Sequence, residues 1–293
     1  ISSNGSSDYI ILISIDGYKN ISHLEGFKYI PNYERYNSLI KLAKEYEKNV
    51  KLTKYPFKEF HVRIAETNLG YPENKRRALE WGFEKSDYVI FLEDDITLAP
   101  DALRWFEYHY SSGLIFNSPN LAFITCFGYS FPSTFEDNNS IHLLDLMLIQ
   151  SLGLLDVYHH HEWHTPWGWA TWRSVWDELK LQNWTGNAID LGNIVVQRKK
   201  YEITPVVSRC NNIGFNGVNM KSNDAMHNKL TYSQHFPYSR LNSCKYRYSS
   251  GPFYLLRKGI EVPPPVYPPL TTTVNMIENI PPDERKFAQE TTC

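Results

Sequence analysis

Apolar and polar positions fall into blocks along the first 125 residues, and the blocks change period in a regular order. Tyr9 to Ile15 is an almost unbroken apolar run that stops at Asp16-Gly17. A short run bounded by a turn pair predicts a strand covered on both faces, as in parallel sheets. Residues 31–48 instead space charged and apolar side chains at helical intervals. Residues 58–64 predict a second strand. Pro72 to Lys85 predicts a second helix, with proline near the start, where a helix has no use for the missing N–H. Tyr88 to Leu92 is again apolar and runs straight into Glu93-Asp94-Asp95. Pro100 to about Tyr110 predicts a third helix. This β–α–β–α–β order predicts an α/β fold with a mainly parallel, doubly wound sheet over residues 8 to about 125.

Beyond residue 125 the pattern gives way to loops, aromatics and histidines, with a helix predicted near 168–181 and a strand at Ile203-Thr204-Pro205. The stretch 250–293 contains Val262-Pro263-Pro264-Pro265-Val266-Tyr267-Pro268-Pro269 and a second Pro-Pro, which predicts an extended segment. One domain over residues 8–250 is therefore expected, with halves 8–125 and 126–250, followed by a proline-rich segment over 251–293.

Composition narrows the function classes. A net charge of −2 without a long basic run gives no electrostatic footprint for nucleic acid. No stretch approaches the roughly 20 apolar residues that cross a bilayer. Four cysteines, Cys126, Cys210, Cys244 and Cys293, match no zinc spacing. Asn-X-Ser/Thr sequons begin at Asn4, Asn20, Asn138 and Asn183, which favours a lumenal or secreted setting over a cytoplasmic one. The chain begins at Ile1 rather than Met and reads as an excised fragment, upstream of which a signal or anchor could have been lost.

The candidate chemistry starts at Glu93-Asp94-Asp95. Open α/β sheets bind ligands at the carboxyl ends of their strands. Three consecutive carboxylates repel one another and need either solvent or a compensating charge. A divalent cation supplies that charge, and carboxylate oxygens suit Mn²⁺ or Mg²⁺. Such an ion would hold a diphosphate and neutralise a leaving nucleotide. The alternative is a solvated acidic turn.

Five ordered motifs then carry a family resemblance: Ser14-Ile15-Asp16-Gly17, Asn68-Leu69-Gly70, Leu92-Glu93-Asp94-Asp95, Trp167-Gly168-Trp169-Ala170-Thr171-Trp172 and Asn212-Ile213-Gly214-Phe215. The acidic motif resembles that of N-acetylglucosaminyltransferase I and its protein-O-mannose-linked relatives, and the full series resembles a set of bacterial sugar transferases. The resemblance implies the GT-A nucleotide-diphospho-sugar transferase fold, with residues 8–125 as the nucleotide-binding half and 126–250 as the acceptor-side half. It also implies an inverting transfer from a nucleotide-sugar donor to a hydroxyl of a glycan or glycoprotein. UDP-N-acetylglucosamine is the default donor.

Carried over by residue, the resemblance implies that Asp95 ligates the metal, Asp94 sits at the ribose and Glu93 binds the donor sugar. Asp16 would lie beside the nucleoside and Asn74 near the base edge. Lys75, Arg76 and Arg77 stand near a helix N-terminus, where an anion is favoured, and Lys75 is taken as donor-binding; a solvated helix face is the alternative for each. Trp167 and Gly168 would line the donor or acceptor pocket, and Trp172 would be core. Asp190 would be the general base, although its relatives carry a tryptophan beside that acid and this chain has Ile189 and Leu191. The alternative for Asp190 is a cap on a helix beginning at Leu191. His159, His160, His161 and His164 are expected in a loop near the acceptor groove rather than in a zinc site. Competing readings are a sugar-1-phosphate nucleotidyltransferase, which lacks its glycine-rich phosphate loop here, and a glycan-binding module on an inactive transferase scaffold, which has no need of the three acids.

Overall fold

The structure, a computed structural model, describes residues 9–19, 32–50, 57–128, 156–181, 184–213 and 247–248. Its elements begin β1 (Ile10–Ile15), α1 (Tyr33–Asn49), β2 (Glu59–Ile64), α2 (Tyr71–Lys85), β3 (Tyr88–Phe91), β4 (Ile96–Leu98), α3 (Ala102–Ser111) and α4 (Leu114–Asn117). They continue with β5 (Leu121–Thr125), β6 (Val157–His161), β7 (Trp169–Trp172), α5 (Arg173–Leu181), α6 (Ala188–Gln197), β8 (Tyr201–Pro205), β9 (Cys210–Asn212) and β10 (Arg247–Tyr248). The chain is a mixed α/β protein that divides into two compact units.

The first unit runs through Val89 and includes Trp172–Leu191. Here β1 and β2 pair in parallel, Ile10 opposite Glu59 and Ile15 opposite Ile64. A parallel pair needs a crossover, and α1 lies in it. Asn32 caps α1 by accepting from the Glu34 and Arg35 amides at 2.8 and 3.1 Å, which satisfies two of the donors a helix start leaves open. Ile15, Ala43 and Val62 form a small core with Ile13, Tyr36, Ile40, Phe60 and Ile64 packed on it. α2 buries Leu79, Trp81 and Phe83. Trp176 of α5 stacks on Phe83 with ring centroids 5.5 Å apart. Arg173, at the start of α5, pairs with Asp87 at 2.5 Å and donates to the Phe83 and Ser86 carbonyls, closing the end of α2.

The described parts of the second unit lie within Ile90–Thr171, Gly192–Ile213 and Ser222–Cys293, the last of which supplies β10. The larger sheet has the order β10-β6-β8-β5-β7-β3. β5 runs parallel to β8 but antiparallel to β7, and β6 runs antiparallel to β8. The sheet is thus mixed rather than mainly parallel. Its central pairs join segments distant in the chain, Ile124 to Ile203 and His160 to Ile203, so consecutive β–α–β order did not govern it. A second pair, β4 with β9, is antiparallel, with Leu98 opposite Cys210 and Ile96 opposite Asn212.

Two local expectations are corrected. The helix expected from residue 168 starts at Arg173, because Trp169–Trp172 is a strand buried on both faces, and tryptophan and threonine suit that surface. His159, His160 and His161 likewise lie in strand β6 rather than in a loop, whereas His164 lies in the non-strand segment between β6 and β7. His160 stacks on Tyr201 with centroids 4.0 Å apart, and His161 Nδ1 lies 2.8 Å from Glu202 Oε1. His164 is fully buried between Phe123 and Trp169. Arg209 and Asp101 form an ion pair at 3.2 Å with almost no exposure on either side. Its guanidinium also donates to the Val207 carbonyl and lies over the Trp105 ring, additional partners of the kind a buried pair needs.

Among the described residues no helix is long and apolar enough to cross a membrane. The proline-rich 251–293, the four sequon asparagines, Cys244, Cys293, Gly214 and Phe215 lie outside the described residues.

Candidate functional site

The acidic triplet is the turn between β3 and β4. Ile96 N donates to the Glu93 carbonyl at 3.2 Å, and Ile213 N donates to the Asp95 carbonyl at 2.8 Å, so the turn is held from both its own chain and the end of β9. Asp94 is exposed, whereas Glu93 and Asp95 are half-buried. Asp95 Oδ1 is shielded from solvent. Among the described residues no three His, Cys, Asp or Glu side chains gather into a metal cage. Mg²⁺-like ions are bound instead through one or two carboxylates plus substrate phosphates. The half-buried Asp95, next to the exposed Asp94, is a carboxylate of the kind such a shared site would use.

Trp167 and Gly168 come up beside this turn. A β-carbon on Gly168 would lie 3.5 Å from Leu92 Cδ2, next to Glu93, and 2.5 Å from Cys126 Sγ. With φ at 65° as well, the position admits glycine alone without strain. Trp167 meets Phe127 edge to face, with centroids 4.7 Å apart. Trp172 is buried, as expected of a core residue. The approach to this loop is fixed by Glu202, which the sequence reading did not single out. Its buried carboxylate accepts from Thr165 N at 2.8 Å and from Thr165 Oγ1 at 2.5 Å, besides meeting His161. A lone acid inside Tyr201-Glu202-Ile203-Thr204-Pro205 was the available signal.

In the first unit, Asp16 closes β1. Its Oδ1 accepts from Gly17 N and Leu69 N at 2.8 and 2.7 Å, and its Oδ2 from Gly70 N and Asn68 Nδ2 at 2.9 and 3.0 Å. Asp16 therefore clamps the Asn68-Leu69-Gly70 motif, which explains why the two motifs occur together. A β-carbon on Gly17 would overlap the Thr67 backbone, so the Asp-Gly pair is required sterically too. Asn74 accepts from Ser14 Oγ at 2.9 Å, which sets it beside the end of β1. The basic triplet separates. Arg76 bridges Glu73 and Glu80, and Arg77 also binds Glu73. The hydrogen bonds from Arg76 and then Arg77 hold the Glu73 carboxyl at about 2, below the usual range. Lys75 instead turns inward, 2% exposed, with its amine 3.0 Å from the Tyr71 hydroxyl and 6.0 Å from the centre of the Trp184 ring.

Asp190 occupies the first turn of α6, which begins at Ala188 rather than Leu191. Asn187 is the cap, accepting from Ile189 N at 3.0 Å, and Asp190 Oδ2 accepts from Thr185 Oγ1 at 2.5 Å. A left-handed Gly186, packed where a β-carbon would overlap the Pro72 backbone, presses this loop onto the first turn of α2. Asp190, Thr185, Lys75 and Asn74 thus share one region of the first unit. The acids 93–95 share one region of the second with Trp167 and Gly168. Comparison with protein-family models and with curated proteins finds no match.

Proposed function

We propose that this chain is an inverting, metal-dependent glycosyltransferase of the GT-A type, moving a sugar from a UDP-sugar, N-acetylglucosamine first, to a hydroxyl of a glycan or glycoprotein. The observation that carries the reading is the Glu93-Asp94-Asp95 turn directly after β3, with Asp95 pinned by Ile213 and its Oδ1 shielded from solvent. The ordered motifs from Ser14 to Phe215 support the same reading.

In this reading Asp95 holds the metal, Asp94 the ribose and Glu93 the donor sugar. Bound Mn²⁺ or Mg²⁺ would supply charge neutralisation for the leaving nucleoside diphosphate. Asp16 orders the loop before α2, and with Asn74 it forms the nucleoside side. Lys75 adds positive charge at the start of α2. Trp167 offers an indole face to sugar C–H surfaces, and Gly168 lets backbone approach the ligand. Asp190 takes the proton from the acceptor hydroxyl as that oxygen attacks the anomeric carbon from the side opposite the leaving group, which inverts its configuration.

Isothermal calorimetry of UDP binding, with and without Mn²⁺, on the unaltered chain and on Asp95→Ala, tests the metal–nucleotide assignment. Mn²⁺ is expected to tighten UDP binding to the unaltered chain by at least tenfold and to do nothing for Asp95→Ala. Equal affinity in all four titrations overturns it.

A further inference from the structure

Cys126 and Cys210 meet at Gly168. A β-carbon there would lie 2.5 Å from one sulfur and 3.4 Å from the other. Three backbone or side-chain bonds tie the same segments together: Cys126 N to the Gly168 carbonyl at 2.8 Å, Arg209 N to the Cys126 carbonyl at 2.7 Å, and Cys210 Sγ to the Trp167 carbonyl at 3.5 Å. Both side chains are fully buried thiols whose sulfurs converge on the same point beside Gly168. Single buried cysteines act as small apolar side chains. Two whose sulfurs converge on one point, on neighbouring backbones from distant parts of the chain, form a pair that a covalent bond can close.

We propose that Cys126 and Cys210 are a disulfide-forming pair that staples the end of β5 to the start of β9 beside Gly168 when the chain folds under oxidising conditions. The oxidant is a small disulfide such as oxidised glutathione. One cysteine thiolate attacks it, forming a mixed disulfide and releasing one glutathione. The second cysteine, deprotonated, attacks the protein sulfur of that mixed disulfide and releases the other glutathione. The two protein thiols lose two electrons and two protons, and both glutathiones carry them away. Burial, followed by the hydrogen bond to Cys210, pushes the Cys126 thiol well up. Thiolate is therefore scarce in the folded chain, closure belongs to the folding step, and the closed bond is shielded from reductants. The staple fixes the Trp167-Gly168 loop whatever ligand that loop serves.

The test is peptide mapping of the full, unaltered chain, unfolded and refolded with oxidised glutathione or with dithiothreitol, then alkylated in denaturant. The oxidised sample is expected to yield a Cys126–Cys210 cross-linked peptide and to melt about 10 °C higher than the reduced one, the scale for closing a long loop. Cys126→Ala and Cys210→Ala are each expected to abolish both the peptide and the difference in melting. Alkylation of both cysteines in the oxidised sample, or cross-links from either only to Cys244 or Cys293, overturns the proposal. None of these readouts depends on sugar transfer.

Discussion

Replacing Asp190 with asparagine is expected to lower turnover about 10²–10⁴-fold while donor binding is retained, the range general-base catalysis supplies. Asparagine keeps the shape and still accepts the hydrogen bond from Thr185 Oγ1, but it has no basicity. The substitution leaves the start of α6 largely undisturbed, because Asn187 is the cap. Loss of a carboxylate from the first helical turn removes only a dipole interaction of about 0.3–1 kcal/mol. A large kinetic effect with a small thermal one therefore separates a base from an acid that merely suits a helix start. Steady-state kinetics, donor calorimetry and a melting curve on this one variant supply the three readouts. Near-normal turnover, or product that keeps the donor's anomeric configuration, sinks the assignment.

Acidification from pH 6.5 to 4 is expected to cost several kcal/mol of folding stability, enough to unfold much of a chain whose total is of order 5–15 kcal/mol. His109 lies fully buried among Trp105, Tyr108 and Tyr158, and burial, then the positive charge of Arg209, holds it well below its usual range. Burial likewise lowers His159 and His160 to about 4. In the unfolded chain each takes a proton near 6.5. Between that value and the folded one, protons bind the unfolded chain preferentially, so stability falls as pH falls through the window and is complete above it. The fully buried His159 accounts for about 3 kcal/mol at most, and the half-buried His160 for less. Guanidinium unfolding at pH 7.5 and pH 4.5 measures the loss. Equal midpoints would show that these histidines carry protons in the folded state.

How much of this was legible in the sequence depended on how local each signal was. β1, β2, β3, α1 and α2 are marked by unbroken apolar runs, helical spacing and Pro72, and they form close to where the pattern predicts. Asp16 and Asn68-Leu69-Gly70 stand in separate motifs of the sequence, and that one carboxylate binds both flanking backbones appears only in three dimensions. Trp169–Trp172 was ambiguous because a short, fully buried run has no period with which to tell strand from helix. The histidines misled for a related reason. Their polarity suggests a loop, while pairing with β8, the Tyr201 ring and Glu202 makes a partly buried strand of His159, His160 and His161. Those partners lie some forty residues along the chain, and nothing in the local pattern points to them. The mixed sheet and the meeting of Cys126 with Cys210 at Gly168 are hidden by the same non-locality.

The central claim is tested most directly by nucleotide release. The full chain, incubated with a panel of UDP- and GDP-sugars and Mn²⁺, is assayed for free nucleoside diphosphate, with and without glycan acceptors. The account predicts release of UDP from one donor, UDP-N-acetylglucosamine first in order, that stops on chelation of the metal and in Asp95→Ala. No release from any donor, or release that persists unchanged with chelator and in Asp95→Ala, would contradict it.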